Sequence, residues 1–113
     1  YKAIKDNVPS TVKTRKIPKG SDPIYDTFIF FIESEKEKAR YIRILNDEGF
    51  GTKNLPDAME WHCTSFWGHA LSAKQIEHSK KTKDLLEKAV AIPIWLRKKP
   101  EEYSIVGKQL FHC

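Results

Sequence analysis

Alternating hydrophobic and polar positions near the start of the chain predict two strands of one sheet. Residues 11–17 alternate with the two-residue period of a half-buried strand. A turn-rich segment follows at residues 18–23. Residues 27–32 read TFIFFI, a run of aromatic and β-branched side chains that is typical of a buried central strand. Residues 1–7 form a short amphipathic stretch, which we expect to be the end of a longer helix.

Three helices are predicted from the spacing of apolar residues and from residues that favour helix ends. They are expected over residues 34–48, 73–89 and 101–111. Ser34 and Ser72 can cap the first two helices at their N-termini. Gly49 suits the left-handed position that follows the first helix, and Pro100 suits the first turn of the last one.

Two further extended segments complete the predicted fold. A short strand or an extended segment is expected at residues 50–53, and a short strand at residues 91–95. Pro93 places the latter at a sheet edge or a strand end because it lacks an N–H group. The order is strand, strand, helix, strand, loop, helix, strand, helix, which indicates an α+β fold. We expect one domain over residues 1–113, with a small, mostly antiparallel sheet and helices packed on one face.

Residues 54–68 follow neither the helical nor the strand period. They include two Trp, one Phe and one Met, which makes the segment too apolar to be disordered, and long aperiodic segments in small domains are commonly functional. Ionisable and amide groups lie beside aromatic side chains here, as a pocket for a polar ligand requires. The candidate binding residues are Lys53, Asn54, Glu60, Trp61 and His62. The alternative is a surface loop whose Trp side chain packs onto the core.

The basic charge of the chain permits several classes of anionic partner. The net charge is +5, but the 20 Lys and Arg residues are interspersed with 15 Asp and Glu residues. The two basic runs, residues 80–83 and 97–99, are expected to be solvated faces of a helix or a loop. Because the aromatic residues lie away from both runs, we do not expect binding of nucleic acid.

The compartment is predicted from three sequence features. No apolar run is long enough to cross a bilayer, and the first ten residues show no signal-peptide pattern. The two cysteines, Cys63 and Cys113, are too few for a disulfide framework and are expected to be free thiols. We therefore expect a soluble, cytoplasmic domain that makes no membrane contact.

Known catalytic motifs are absent from the sequence. There is no phosphate-binding glycine loop, no GxSxG and no HExxH. The best metal candidates, His62 and Cys63 with His69 and His78, match no zinc spacing. Cys63 could act as a nucleophile with His62 or His69 as its base, but no third, orienting group is identified. We expect no catalytic, metal or cofactor site within this chain.

Three motifs, taken together, resemble a known family over nearly the whole chain. They are YDTFIFFI at residues 25–32, NDEGFGT at residues 46–52, and LL at residues 85–86 followed by AVAIPI at residues 89–94. Their order and spacing are similar to those of the C-terminal small domain of the DegT/DnrJ/EryC/StrS family of sugar aminotransferases, which depend on pyridoxal phosphate (PLP). In that family a small-domain strand precedes a helix ending in Gly-Ile-x-Thr, and a helix ending in Leu-Ser-Leu-Pro-Ile precedes the final helix.

The resemblance implies the small domain of a fold-type I enzyme that aminates keto-sugars, usually nucleotide-linked ones. The family's Schiff-base Lys and its other PLP-binding residues belong to a large N-terminal domain, which these 113 residues do not include. The resemblance therefore implies a fragment that is inactive alone, holds no PLP itself and closes over the substrate in an intact homodimer. The alternative is a stand-alone binding module for an acidic sugar or nucleic acid.

Residues 53–62 depart from the family pattern. Most members have His-Tyr-x-Pro-Leu-His after Gly-x-x-Thr, whereas this chain has KNLPDAMEWH. This variant is most similar to the branch that aminates an oxidised octulosonate, a Kdo-type acid sugar. Lys53 and Asn54 would suit the carboxylate of such a sugar. Four of the candidate residues match the position of the family's active-site loop but not its residue types: Lys53, Asn54, Glu60 and His62.

Overall fold

The chain forms a three-stranded antiparallel sheet with six helices, and the computed structural model describes residues 1–112. The strands are β1 (Lys13–Thr14), β2 (Thr27–Phe31) and β3 (Ala89–Pro93). The helices are α1 (Lys2–Lys5), α2 (Glu35–Asp47), α3 (Met59–His62), α4 (Ala73–Glu77), α5 (Lys80–Leu86) and α6 (Pro100–Phe111). The predicted α+β class is confirmed.

The predicted central strand is confirmed as β2, which lies between β1 and β3. Phe28 is opposite Ile92 and Phe30 is opposite Val90, and all four side chains are fully buried. Because successive side chains of a strand point to opposite faces, these residues share one face of the sheet. That face contributes most of the apolar surface of the core.

Helices α1, α2 and α6 cover this face of the sheet. The ring centroid of Phe30 lies 5.8 Å from that of Tyr41 on α2 and 5.2 Å from that of Phe111 on α6. Ile4 of α1 is fully buried in the same cluster. Burying a side chain of this size contributes about 1.5–3 kcal/mol. The main core therefore has its helices packed on one face, as the sequence predicts.

The predicted helix ends are also present. The Ser34 hydroxyl accepts a hydrogen bond from the N–H of Glu37 at 3.3 Å. Ser72 and Gln75 form a reciprocal capping box at the start of α4. Gly49 has a φ of +72°, the left-handed conformation in which glycine ends a helix at least cost.

β1 is shorter than the strand predicted over residues 11–17. Before β1, the N–H of Val12 donates to the C=O of Pro9 at 3.0 Å and so belongs to a turn rather than to the sheet. After β1, one more bond joins the N–H of Arg15 to the C=O of Ile29 at 3.0 Å, before a turn in which the N–H of Ser21 donates to the C=O of Pro18. The alternation of hydrophobic residues therefore extends beyond the residues that pair.

Residues 50–53, predicted as a short strand or an extended segment, form no regular strand, although the N–H of Lys53 bonds to the C=O of Ala91. The N–H groups of Phe50 and Gly51 both donate to the C=O of Leu45, at 2.8 and 3.0 Å, and so complete the end of α2. β3 starts at Ala89, two residues earlier than predicted, and Pro93 lies at its end, as a residue without an N–H requires.

The helix predicted over residues 73–89 is divided into α4 and α5. Ser79 lies between them, and its hydroxyl donates to the C=O of Ile76 at 2.8 Å and lies 2.6 Å from the hydroxyl of Ser65. Such side-chain bonds to the backbone compete with the regular helical bonds. Residues 54–68, for which no regular period is predicted, contain α3 and a 3₁₀ turn, Thr64–Phe66.

The buried hydroxyl of Tyr103 joins α6 to the end of β3. It donates to the C=O of Pro93 at 3.0 Å and accepts from the N–H of Trp95 at 2.6 Å. Desolvation raises the pKa of Tyr103, which keeps the hydroxyl protonated as a donor. One side chain thus satisfies two backbone groups where the sheet ends.

Replacing Tyr103 with Phe should lower the free energy of unfolding by about 1–3 kcal/mol, because two backbone groups lose their partner. The control Tyr25→Phe removes the hydroxyl of an exposed residue and should change the free energy by less than about 0.5 kcal/mol. Urea titrations of both variants measure the difference. Equal stabilities would contradict the role given to the Tyr103 hydroxyl.

Candidate functional site

The candidate segment begins at a fixed position beside β3. The N–H of Lys53 donates to the C=O of Ala91 at 2.9 Å, and the N–H of Ala91 donates to the C=O of Leu55 at 3.1 Å. Between them, Asn54 has a φ of +68°, a left-handed conformation that Asn adopts more readily than most residues. The backbone of residues 53–55 is therefore bonded to the outer edge of the sheet.

Helix α3 turns three of the candidate residues toward solvent. Met59 and Cys63 are four residues apart, lie on the same side of the helix and are buried. Glu60, Trp61 and His62 are exposed, and Trp61 is 80% exposed. The alternative in which the Trp61 side chain packs onto the core is therefore wrong.

An aromatic groove lies at the surface that α3 exposes. It has a volume of about 680 Å³ and is lined by Glu60, Trp61, Phe66, Trp67, His69 and Ala70. This volume falls within the range of about 300–1,000 Å³ that is usual for small-ligand sites. Glu60 and His69 supply polar groups, and the aromatic rings supply apolar walls. We call this site the aromatic groove.

The structure brings together only part of the predicted set. Glu60 and Trp61 line the aromatic groove, whereas Lys53, Asn54 and His62 lie outside its lining. Phe66 and Trp67 also line the groove, although the sequence indicates them only as apolar residues of the segment. Their exposures, 38% and 36%, show that these rings are not fully used by the core. His69, which the sequence suggests only as a metal ligand or a base, lines the groove as well.

Lys53 forms an ion pair with Asp26, which lies 27 residues earlier in the sequence. Its ammonium lies 2.6 Å from a carboxylate oxygen of Asp26. The hydrogen bond from Lys53 is the largest cause that lowers the pKa of Asp26 below its ordinary value. A ligand carboxylate that used Lys53 would therefore have to compete with Asp26.

The side chains proposed for metal binding or nucleophilic catalysis are not assembled into such a site. Within residues 1–112, no group of three or more His, Cys, Asp or Glu side chains could hold a metal ion. Cys63 is a free thiol and is 3% exposed, so it offers little surface to a substrate. Cys113 lies outside the described residues. The aromatic groove can bind and orient a ligand through stacking and hydrogen bonds.

Comparison with known proteins identifies no relative for this chain. No protein-family model, no curated protein and no solved structure matches it. Across residues 1–112, no helix has both the length and the apolar character needed to cross a bilayer.

The ion pair between Asp26 and Lys53 should make a small, pH-dependent contribution to stability. Because folding lowers the pKa of Asp26, the contribution is complete above the unfolded pKa of about 3.9 and is lost as the pH falls through the folded pKa. At pH 7, Asp26→Asn should cost no more than about 0.5 kcal/mol, since both side chains are more than a third exposed. Denaturation curves of both proteins at pH 7 and near pH 3 measure the difference.

The control for this experiment is Asp22→Asn, which changes an exposed carboxylate outside the pair. Its stability should follow the unaltered protein at both pH values. If the cost of Asp26→Asn were the same near pH 3 as at pH 7, the ion pair would not be its cause.

Proposed function

We propose that this chain is the small domain of a PLP-dependent aminotransferase of keto-sugars, and that its aromatic groove contacts the sugar. The observation that supports this function is the exposed Trp61, which lies in the groove at the sequence position of the family's active-site loop. A domain of this kind has no amino-transfer activity alone. It completes the substrate site of a larger, cytoplasmic, homodimeric enzyme.

The groove has the chemistry that sugar binding requires. A sugar ring presents C–H groups on its faces, and an indole ring such as Trp61 offers a flat apolar surface for them. Covering that ring removes exposed apolar area from water, which stabilises the complex by about 25 cal/mol per Å². The Glu60 carboxylate can accept hydrogen bonds from sugar hydroxyls, and the His69 ring can donate or accept one.

If the substrate is an acid sugar, its carboxylate requires a contact outside the aromatic groove. Glu60 is the one carboxylate in the lining of the groove, and it would repel a sugar carboxylate placed beside it. The ring and hydroxyls of an octulosonate therefore fit the groove better than its carboxylate does. We assign the carboxylate to Lys53, where it would take the place of Asp26.

PLP belongs, in this proposal, to a part of the enzyme outside this chain. The cofactor supplies the electron sink for amino transfer and is held by a lysine in such enzymes. The one buried lysine within residues 1–112 is Lys38, and its ammonium donates to the C=O of Glu87 at the end of α5. That bond satisfies a carbonyl at the end of α5 and links α2 to α5. Lys38 thus already has a structural role, which supports assigning the PLP lysine to another part of the enzyme.

Sugar binding should depend on Trp61. Saturation-transfer NMR with 3-deoxy-octulosonate and with a nucleotide-linked keto-sugar should show contact between at least one of them and the protein. Trp61→Ala should weaken that binding at least about tenfold, the equivalent of about 1.4 kcal/mol. The same change should leave the free energy of unfolding within about 0.5 kcal/mol, because the side chain is exposed.

The matched control is Leu96→Ala, which removes an exposed apolar side chain outside the groove and should leave binding unchanged. Sugar binding that survives Trp61→Ala would contradict the assignment of the groove. A borohydride-trapped adduct of PLP on a lysine of this chain would contradict the assignment of the cofactor to another domain. Tight, salt-dependent binding of single-stranded nucleic acid, with no sugar bound, would favour the stand-alone binding module instead.

A further inference from the structure

β1 is an edge strand with unpaired backbone groups on its outer side. Lys13 is opposite Phe31, and Thr14 is opposite Phe30. The N–H of Arg15 donates to the C=O of Ile29 at 3.0 Å. Since hydrogen-bonded and non-hydrogen-bonded pairs alternate in an antiparallel ladder, the N–H and C=O of Thr14 point away from β2. Neither group has a hydrogen-bond partner in the part of the chain that the structure describes.

A groove lies beside this edge, between β1 and the end of α5. Its volume is about 760 Å³, and it is lined by Lys13, Thr14, Arg15, Lys16, Phe31, Glu33, Asp84, Leu85 and Lys88. Phe31 and Leu85 supply its apolar surface, and Leu85 is 51% exposed. We call this site the cationic groove. It shares no lining residue with the aromatic groove.

The charges of the cationic groove are not balanced. Both of its carboxylates have a partner: Glu33 lies 2.6 Å from Lys88, and Asp84 lies 2.8 Å from Lys80 of α5. Three cations, Lys13, Arg15 and Lys16, form no ion pair with any residue within 1–112. Lys13 lowers the pKa of Glu33 only through a longer-range charge interaction, which is weaker than the effect of Lys88. The edge of β1 is therefore positively charged.

The positive charges beside β1 determine which kind of partner can pair with this strand. Pairing of β1 with β1 of a second copy would place like charges on facing strands, which is unfavourable. An acidic strand would meet the opposite charges. A free phosphate or a nucleic acid could use the cations but would leave the Thr14 backbone groups unpaired, whereas a peptide strand satisfies both the charges and the backbone.

We propose that β1 and the cationic groove bind an extended acidic segment of a partner protein as a fourth strand of the sheet. Its backbone pairs with Thr14, and its carboxylates lie on the sheet face that carries Lys13 and Arg15. This interaction surface is separate from the proposed sugar site, so either can fail without the other.

The probe is a heptapeptide of alternating Glu and Val, blocked at both ends, added to the ¹⁵N-labelled chain. Saturable amide shifts should be confined to residues 12–16, 29–33 and 84–88, and binding should weaken as salt concentration rises. Arg15→Glu should weaken binding at least about fivefold, because a favourable cross-strand charge pair becomes unfavourable. Lys74→Glu makes the same charge change at an exposed lysine of α4 and should alter binding less than about twofold.

Thr14→Pro tests the backbone pairing directly. It removes the outward N–H while an edge strand tolerates proline, so unchanged amide shifts elsewhere would show that the chain still folds. The variant should bind the heptapeptide at least about fivefold more weakly, since a backbone hydrogen bond is lost. Unchanged binding by Thr14→Pro, equal displacement of the peptide by free citrate, or no binding at all would overturn the proposal. So would tighter binding of oligothymidylate to these residues, or dimerisation of the chain through β1.

Discussion

Ala91 of β3 makes the backbone contact on which both the sheet and the site depend. Its N–H and C=O bond to Leu55 and Lys53, while its neighbours Val90 and Ile92 face Phe30 and Phe28 of β2. β3 is therefore bonded on both sides although it comes last in the order of the sheet. Because residues 53–55 are bonded to β3, α3 starts from a fixed position. It buries Met59 and exposes Glu60, Trp61 and His62.

The parts of the fold that could be predicted are those fixed by nearby residues. TFIFFI specifies a buried strand by itself, and Ser34 and Gly49 act within one turn of the helix that they bound. The break between α4 and α5 could not be predicted in this way. At the break, the Ser79 hydroxyl bonds to the C=O of Ile76 and to the hydroxyl of Ser65, which lies 14 residues away in the sequence. Helix propensity alone predicts one continuous helix over residues 73–89, and the side-chain bonds of Ser79 compete with the helical bonds at the break.

The candidate site shows the same division between local and distant causes. The composition of residues 54–68 marks Glu60 and Trp61 as candidate binding residues, and both side chains are exposed in the structure. The ion pair between Lys53 and Asp26 joins residues that are 27 positions apart, and no local pattern predicts it.

The fold thus presents two grooves that share no lining residue, the aromatic groove and the cationic groove. Amide hydrogen exchange, followed residue by residue, tests most directly whether the segment 53–55 is fixed to the sheet. The amides of Lys53 and Ala91 should exchange slowly, at rates close to that of Ile92 in the same strand. Exchange of the Lys53 and Ala91 amides at the rate of an unfolded chain, with Ile92 protected, would contradict the account.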